Sequence, residues 1–160
     1  MSTSAEALQL AQDYIHFVEV RDSDAVAARL APHARQVFVM SRDPAHPTAV
    51  FDGKDQVLAY TEGLFRKFER LVWTDKDWTV SADGARVFLQ AQSDGVARHS
   101  GKPYRNTYVL RFDIAEGLIT QILEYALDEL FLAMETPVFD WDRRAVALAH
   151  ALPYATSTPD

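Results

Sequence analysis

The stretch YRNTYVLRFDIAEGLITQILEY, residues 104–125, decides the fold. In its first half Asn106, Tyr108, Leu110, Phe112 and Ile114 share one parity, while Arg105, Thr107, Arg111 and Asp113 take most of the other. A period of two marks a strand with one buried face and one wetter face. Glu116-Gly117 then turns the chain. Residues 118–127 read as a second strand antiparallel to the first, because a parallel return would need a crossover of about a dozen residues. Here Ile119, Leu123, Tyr125 and Leu127 are apolar on one side, and Ile122 and Ala126 on the other. A strand apolar on both faces is covered twice, and the second cover is expected to be another subunit. The expectation is a homodimer joined through the back of the sheet; the alternative cover is the C-terminal extension of the same chain.

Upstream, residues 71–82 and 86–98 read as two further long strands, bounded by the turn-like Asp83-Gly84 and by HSGKP at 99–103. Four consecutive strands with short connections form an antiparallel meander. The first half of the chain is helical instead. Thr3 and Glu6 form a candidate capping box ahead of Leu10, Ala11, Tyr14, Phe17 and Val18 at helical spacing. Asp22-Ser23-Asp24 offers an N-cap for a short helix over 25–30, which Pro32 helps to end. A strand over 36–41 and a loop with Pro44 and Pro47 follow, and a third helix spans 54–68 after Asp52-Gly53. The fold class is therefore α+β, with three N-terminal helices packed on one face of a curved antiparallel sheet. Residues 1–136 form one domain. Residues 137–160 form an extension, with a short helix over 143–152 and a loose tail.

A chain of 160 residues is about one domain's worth. Its 23 acidic against 16 basic residues give a net charge of −7, which argues against a nucleic-acid backbone as partner. With no cysteine, disulfides, thiol nucleophiles and thiolate-held metals are excluded. The five histidines show no short metal-ligand spacing, so neither a metal nor a cofactor is expected. No charged-then-apolar leader and no apolar run of about 18 residues occur, so a cytoplasmic protein without a membrane partner is expected.

Glu124 is the sharpest chemical signal. It falls mid-strand with Ile122 and Ala126 as same-face neighbours, where an ionised carboxylate costs several kcal/mol unless paired. It is either a general acid or base with a raised pKa, or a glutamate satisfied by Arg105 or Arg111, or one solvated near a sheet edge. Tyr14 lies in the apolar stripe of the first helix and Tyr108 on the helix-facing side of the sheet. Two phenols and a carboxylate facing one interior could polarise a substrate oxygen while the carboxylate moves a proton; singly, each tyrosine reads as core packing. His16 points away from its helix stripe, and His99 sits in a turn. Asp94 shares a parity with Arg86, Gln90 and Gln92, and Trp73 and Trp78 fall on opposite faces of their strand, so at most one of the two is expected to line a pocket.

Residues 5–132 resemble the cone-shaped fold shared by nuclear transport factor 2, SnoaL-like polyketide cyclases, ketosteroid isomerase and limonene epoxide hydrolase. The segment from Gly101-Lys-Pro-Tyr104 through Phe112-Asp-Ile-Ala-Glu-Gly117 to Ile119 and Glu124-Tyr125 is similar to the final hairpin of the epoxide hydrolase. That resemblance puts Glu124 where the hydrolase keeps its water-activating aspartate. It puts Asn106, Tyr108, Ala126, Phe131, Leu64 and Phe68 on positions that line its pocket. The hydrolase's arginine and second aspartate match Ala91 and Ser93, and its tyrosine and asparagine match about Gln36 and Phe38, so its water-activating set is incomplete here. Gln12-Asp13-Tyr14 through Asp22 is similar to the isomerase helix bearing the oxyanion-hole tyrosine, with Tyr14 in the matching place. Tyr108 stands where the isomerase has a protonated aspartic acid, and the isomerase's base matches Phe38.

The resemblance implies a cofactor-independent enzyme of cyclase, isomerase or dehydratase type acting on a small, largely apolar, oxygen-bearing molecule. Glu124 would shuttle the proton, with Tyr14 and Tyr108 as hydrogen-bond donors. Asn106 would orient the ligand, and Phe38, Met40, Leu64, Phe68 and Phe131 would shape the cavity. An epoxide-opening hydrolase or cyclase and a non-catalytic ligand-binding or dimerisation module are the alternatives.

Overall fold

The structure, a computed structural model, describes residues 3–39 and 49–127. Met40, Phe131 and the extension at 137–160 lie outside the described residues.

Helix α1 (Ser4–Val20) starts where the sequence places it: Glu6 N–H donates to the Thr3 hydroxyl, and the Glu6 carboxylate accepts from the Thr3 N–H. It buries Ala7, Ala11, Tyr14, Ile15 and Val18, the i, i+4, i+7 stripe of an amphipathic helix. Asp22 caps α2 (Ser23–Ala27) by accepting from Ala25 N–H at 2.9 Å. This helix is shorter than expected. The chain is already a strand, β1 (Leu30–Phe38), when it reaches Pro32, and the proline falls where the pairing register shifts between Leu30 and Arg35, a place where a missing N–H is tolerated.

A short strand that the sequence did not signal, β2 (Ala49–Asp52), pairs antiparallel with β1. Helix α3 (Lys54–Lys67) follows and buries Val57 and Thr61. Its C-terminal carbonyls are held by two arginines: Arg21 donates to Phe65 O and Phe68 O at 3.1 and 2.8 Å, and Arg98 to Arg66 O and Phe68 O at 3.1 and 3.0 Å. These guanidiniums satisfy helix-end acceptors and oppose the negative end of the helix dipole.

The remaining strands are β3 (Phe68–Val80), β4 (Arg86–Ala97), β5 (Pro103–Tyr104), β6 (Thr107–Ala115) and β7 (Leu118–Tyr125). The sheet runs β2-β1-β7-β6-β4-β3, with β5 on β4. The second half is the expected antiparallel meander, but β1 joins β7 in parallel, so the curved sheet is mixed. In this order β7 is an inner strand. Glu124 stands level with Phe38 of β1 on one side and Leu110 of β6 on the other, well away from either edge.

Two bulges correct the simple alternation. A register shift between Thr74 and Asp77, with Asp75 at φ 51°, puts Trp73 and Trp78 on the same face rather than opposite ones. Trp73 meets Tyr108 edge-on at 6.2 Å, and Trp78 stacks on Phe112 at 6.5 Å. A second shift, at Asp113/Ile114 against β7, places Ile119 with Ile122 and Glu124 inside rather than with Leu123. The opposite face of the sheet carries Asp113 with Arg111 and Gln121, and Asp94 with Arg70. Leu123 and Tyr125 are half-buried there, and Val109 is exposed. Gly95 lets β3 come close: a Cβ at this position would lie 3.1 Å from Leu71 Cδ1 and 3.2 Å from Arg70 O.

Candidate active site

Glu124 is carried into the core by the inner strand β7 and is 8% exposed. Its Oε2 accepts from Gln36 Nε2 at 3.0 Å across the parallel β1–β7 pair. Neither arginine that could have neutralised it does so. Arg105 pairs with Asp94, and Arg111 with Asp113 on the outer face; among the described residues no cation pairs with Glu124. Burial therefore dominates and pushes its carboxyl up to about 8, the Gln36 N–H pulling in the opposite direction.

Phenols surround this carboxyl. Tyr14 of α1 is 5% exposed and packs edge-on against Phe112 at 5.9 Å. Burial pushes its hydroxyl up to about 12; the Thr61 hydroxyl opposes the rise and the charge of Glu124 adds to it. Tyr108 of β6 is equally buried, and its hydroxyl lies 2.7 Å from that of Tyr104. Tyr60 of α3 stacks on Phe51 at 4.6 Å, and burial followed by the Glu124 charge holds its phenol well above the ordinary value. All three phenols line one cavity with Glu124, Gln36 and Trp73. None of the lining residues is Lys, Arg or His. The phenols stay protonated in the physiological range and can only offer or share a hydrogen, while Glu124 can hold or give one.

The cavity encloses about 40 Å³, room for water or a very small ligand. Leu64 and Phe68 supply part of its apolar wall. Phe38 is set apart from that wall, in an aromatic cluster with Phe51 and Tyr60 at 6.1 and 5.3 Å. Asn106 is 3% exposed and also off the wall. Its amide hydrogens go to Tyr104 Oη and Leu127 O, and its oxygen accepts from Thr107 N–H. The sequence left Gln36 and Tyr60 out of the site. Gln36 carried a signal, being a polar residue at the same parity as Ala34 and Phe38 in a buried strand. Tyr60 carried none beyond its aromatic character. Of Trp73 and Trp78, Trp73 is the one on the cavity wall. His16 and His99 are exposed.

A family described as the SnoaL-like domain matches residues 11–122. No curated protein matches the chain. Among solved structures, a candidate polyketide cyclase from Xanthomonas campestris pv. campestris is 20% identical at a TM-score of 0.72, covering 84% of this chain and 100% of that one. A candidate isomerase from Bacillus subtilis is 18% identical at 0.73, covering 87% and 99%. A candidate SnoaL-like polyketide cyclase from Jannaschia sp. CCS1 is 19% identical at 0.69, covering 83% and 94%. At these identities the likeness establishes the fold.

Proposed function

The chain belongs to the SnoaL-like domain family, and on that premise we propose that it is a cofactor-independent enzyme moving protons on a small, neutral, oxygen-bearing molecule, in a reaction of the cyclase, isomerase or dehydratase type. One observation carries this reading: a carboxyl with no cation beside it among the described residues, raised to about 8, opens on a cavity walled by phenols. Near pH 7 Glu124 is mostly a neutral acid, so it gives a proton to one substrate atom and, as the carboxylate, takes one from another. Tyr14 and Tyr108 donate hydrogen bonds to the oxygen on which negative charge develops. Ser93 accepts the Asn106 backbone N–H at 2.9 Å, and Ala91 carries no polar group. Of the positions where the epoxide hydrolase keeps water-activating partners, those of Ala91, Ser93 and Phe38 thus bring no charged group, and Gln36 brings an amide bonded to Glu124, which supports isomerisation, cyclisation or dehydration over water addition.

The test is hydrogen–deuterium exchange next to the carbonyl of small neutral ketones in D₂O, followed by proton NMR. The native chain should accelerate exchange, and Glu124→Gln should lose the acceleration while keeping the same circular dichroism and melting curve. Unchanged exchange in that variant removes Glu124 from the chemistry.

The narrow cavity favours a second reading, a non-catalytic module, since enclosed sites for larger ligands usually span roughly 300–1,000 Å³. On that reading no ketone exchanges in either protein. Both readings share one assembly proposal: a homodimer through the outer sheet face, where Val109, Leu123 and Tyr125 present apolar surface. Sedimentation of the native chain and of Val109→Lys should separate dimer from monomer.

A further inference from the structure

The two ends of the Gln36 amide have different fates. Gln36 is 5% exposed and lines the cavity. Its Nε2 donates to Glu124 Oε2 at 3.0 Å, while its Oε1 is buried with no hydrogen-bond partner among the described residues. A carboxylate can face only the N–H end of an amide, so whenever Glu124 is charged the oxygen is the end left over. A buried amide oxygen is usually answered by a side chain, an ordered water or a ligand, because leaving it bare is costly. The same wall holds a second open group. The indole N–H of Trp73 is also buried without a partner among the described residues. One group accepts and the other donates, so a ligand that satisfies both brings a hydrogen as well as a lone pair. No Lys, Arg or His lines the wall to draw that ligand in as an anion.

We infer that Gln36 Oε1 accepts the hydrogen of a ligand hydroxyl, and that the molecule taken by this cavity is a neutral hydroxy-carbonyl compound instead of a simple ketone or ether. The amide is bonded to Glu124 through its other end, so the hydroxyl it holds lies beside the ligand atom that exchanges a proton with that carboxyl. Gln36 is then a specificity-determining residue, and the carbonyl oxygen is left to the phenols and the Trp73 N–H. The cavity's space of about 40 Å³ also admits water, which can supply the same hydrogen between ligands. A ligand hydroxyl replaces that hydrogen; a methyl group in its place strips the amide oxygen bare. This inference rests on the reading of the cavity as the site for a small, neutral, oxygen-bearing molecule, and it narrows the class of that molecule.

Methyl-resolved NMR reads binding without turnover, through Leu64, Leu110 and Ile122 of the wall. The probes are hydroxyacetone, butanone, in which a methyl replaces the hydroxyl, and methoxyacetone, which keeps the oxygen lone pairs but has no hydrogen to give. Hydroxyacetone should bind roughly tenfold or more tightly than either. Equal affinities overturn the proposal, and so does the absence of any methyl shift with hydroxyacetone at the highest concentration the fold tolerates. Methoxyacetone binding as tightly as hydroxyacetone, with butanone weaker, would mean that the amide presents its NH₂ to the ligand, and also overturns it. In Gln36→Leu the ratio of hydroxyacetone to butanone affinity should collapse towards one, whereas a merely structural loss would weaken both alike. A preserved ratio overturns the role of Gln36; if the variant does not fold, the native series alone decides. The outcome is separable from that of the Glu124→Gln exchange assay, since exchange can fail with this selectivity intact and the selectivity can fail with exchange intact.

Discussion

Gln36 Nε2 sits 3.0 Å from Glu124 Oε2, the only hydrogen bond to that carboxyl among the described residues. The other end of the same amide, Oε1, is buried without a partner. An amide holding an acid in this way stabilises its charged form by one donor, against a much larger cost of desolvation. A charge-assisted bond is worth about 1.5–3 kcal/mol, so Gln36→Leu should push the Glu124 carboxyl further up, by roughly one to two pH units. Carbon-13 NMR of the labelled carboxyl checks this, and an unchanged midpoint would mean that the bond carries no weight.

The raised carboxyl makes folding pH-dependent in a stated direction. Its value is about 8 in the folded chain against an ordinary 4.5. Between those values the folded chain keeps a proton that the unfolded chain has lost, so stability falls as pH rises, by up to ~1.4 kcal/mol per unit. The contribution is complete below the unfolded value and lost through the folded one. Urea unfolding from pH 5 to 9 should therefore show native stability declining relative to Glu124→Gln until about pH 8. Parallel curves for the two proteins would contradict it.

Arg21 and Arg98 reach the end of α3 from different parts of the chain and share the Phe68 carbonyl. Either alanine substitution should cost about 1–2 kcal/mol, from a lost charged hydrogen bond and the helix dipole. The double variant should differ from the sum, because each arginine covers part of what the other leaves. Denaturant midpoints of the two singles and the double decide it; strict additivity would count against the shared cap.

Gly95 faces the β3 backbone so closely that an added Cβ would press on Arg70 O and Leu71 Cδ1. In Gly95→Ala the new methyl meets Arg70 O at 3.2 Å, a backbone atom that cannot turn aside. The expected loss is about 1–3 kcal/mol, as for other overpacked sites. A melting temperature equal to that of the native chain would show that the strands part freely.

Much of the fold is legible in the sequence because its signals are local. The Thr3–Glu6 capping box, the Asp22 cap and the alternation of residues 106–114 each read out within a few positions. What failed depends on non-local pairing or on one extra residue. Nothing near Gln36 shows that β1 will lie parallel to β7, yet that pairing delivers the amide to Glu124. Bulges at Asp75 and Thr120 each shift parity by one, so Trp78 and Ile119 land on the face opposite to the one that simple alternation gives. The carboxyl and two phenols were visible as types in position. Tyr60 and Trp73 became site residues only once α3 and β3 were laid across the same cavity.

The central claim, that Glu124 is a buried acid still holding its proton near neutrality, is tested most directly by carbon-13 NMR titration of its side-chain carboxyl in the native chain. The midpoint should fall at about 8. A midpoint near 4.5 would mean that the carboxyl is hydrated or paired, and the acid–base chemistry assigned to it would fall.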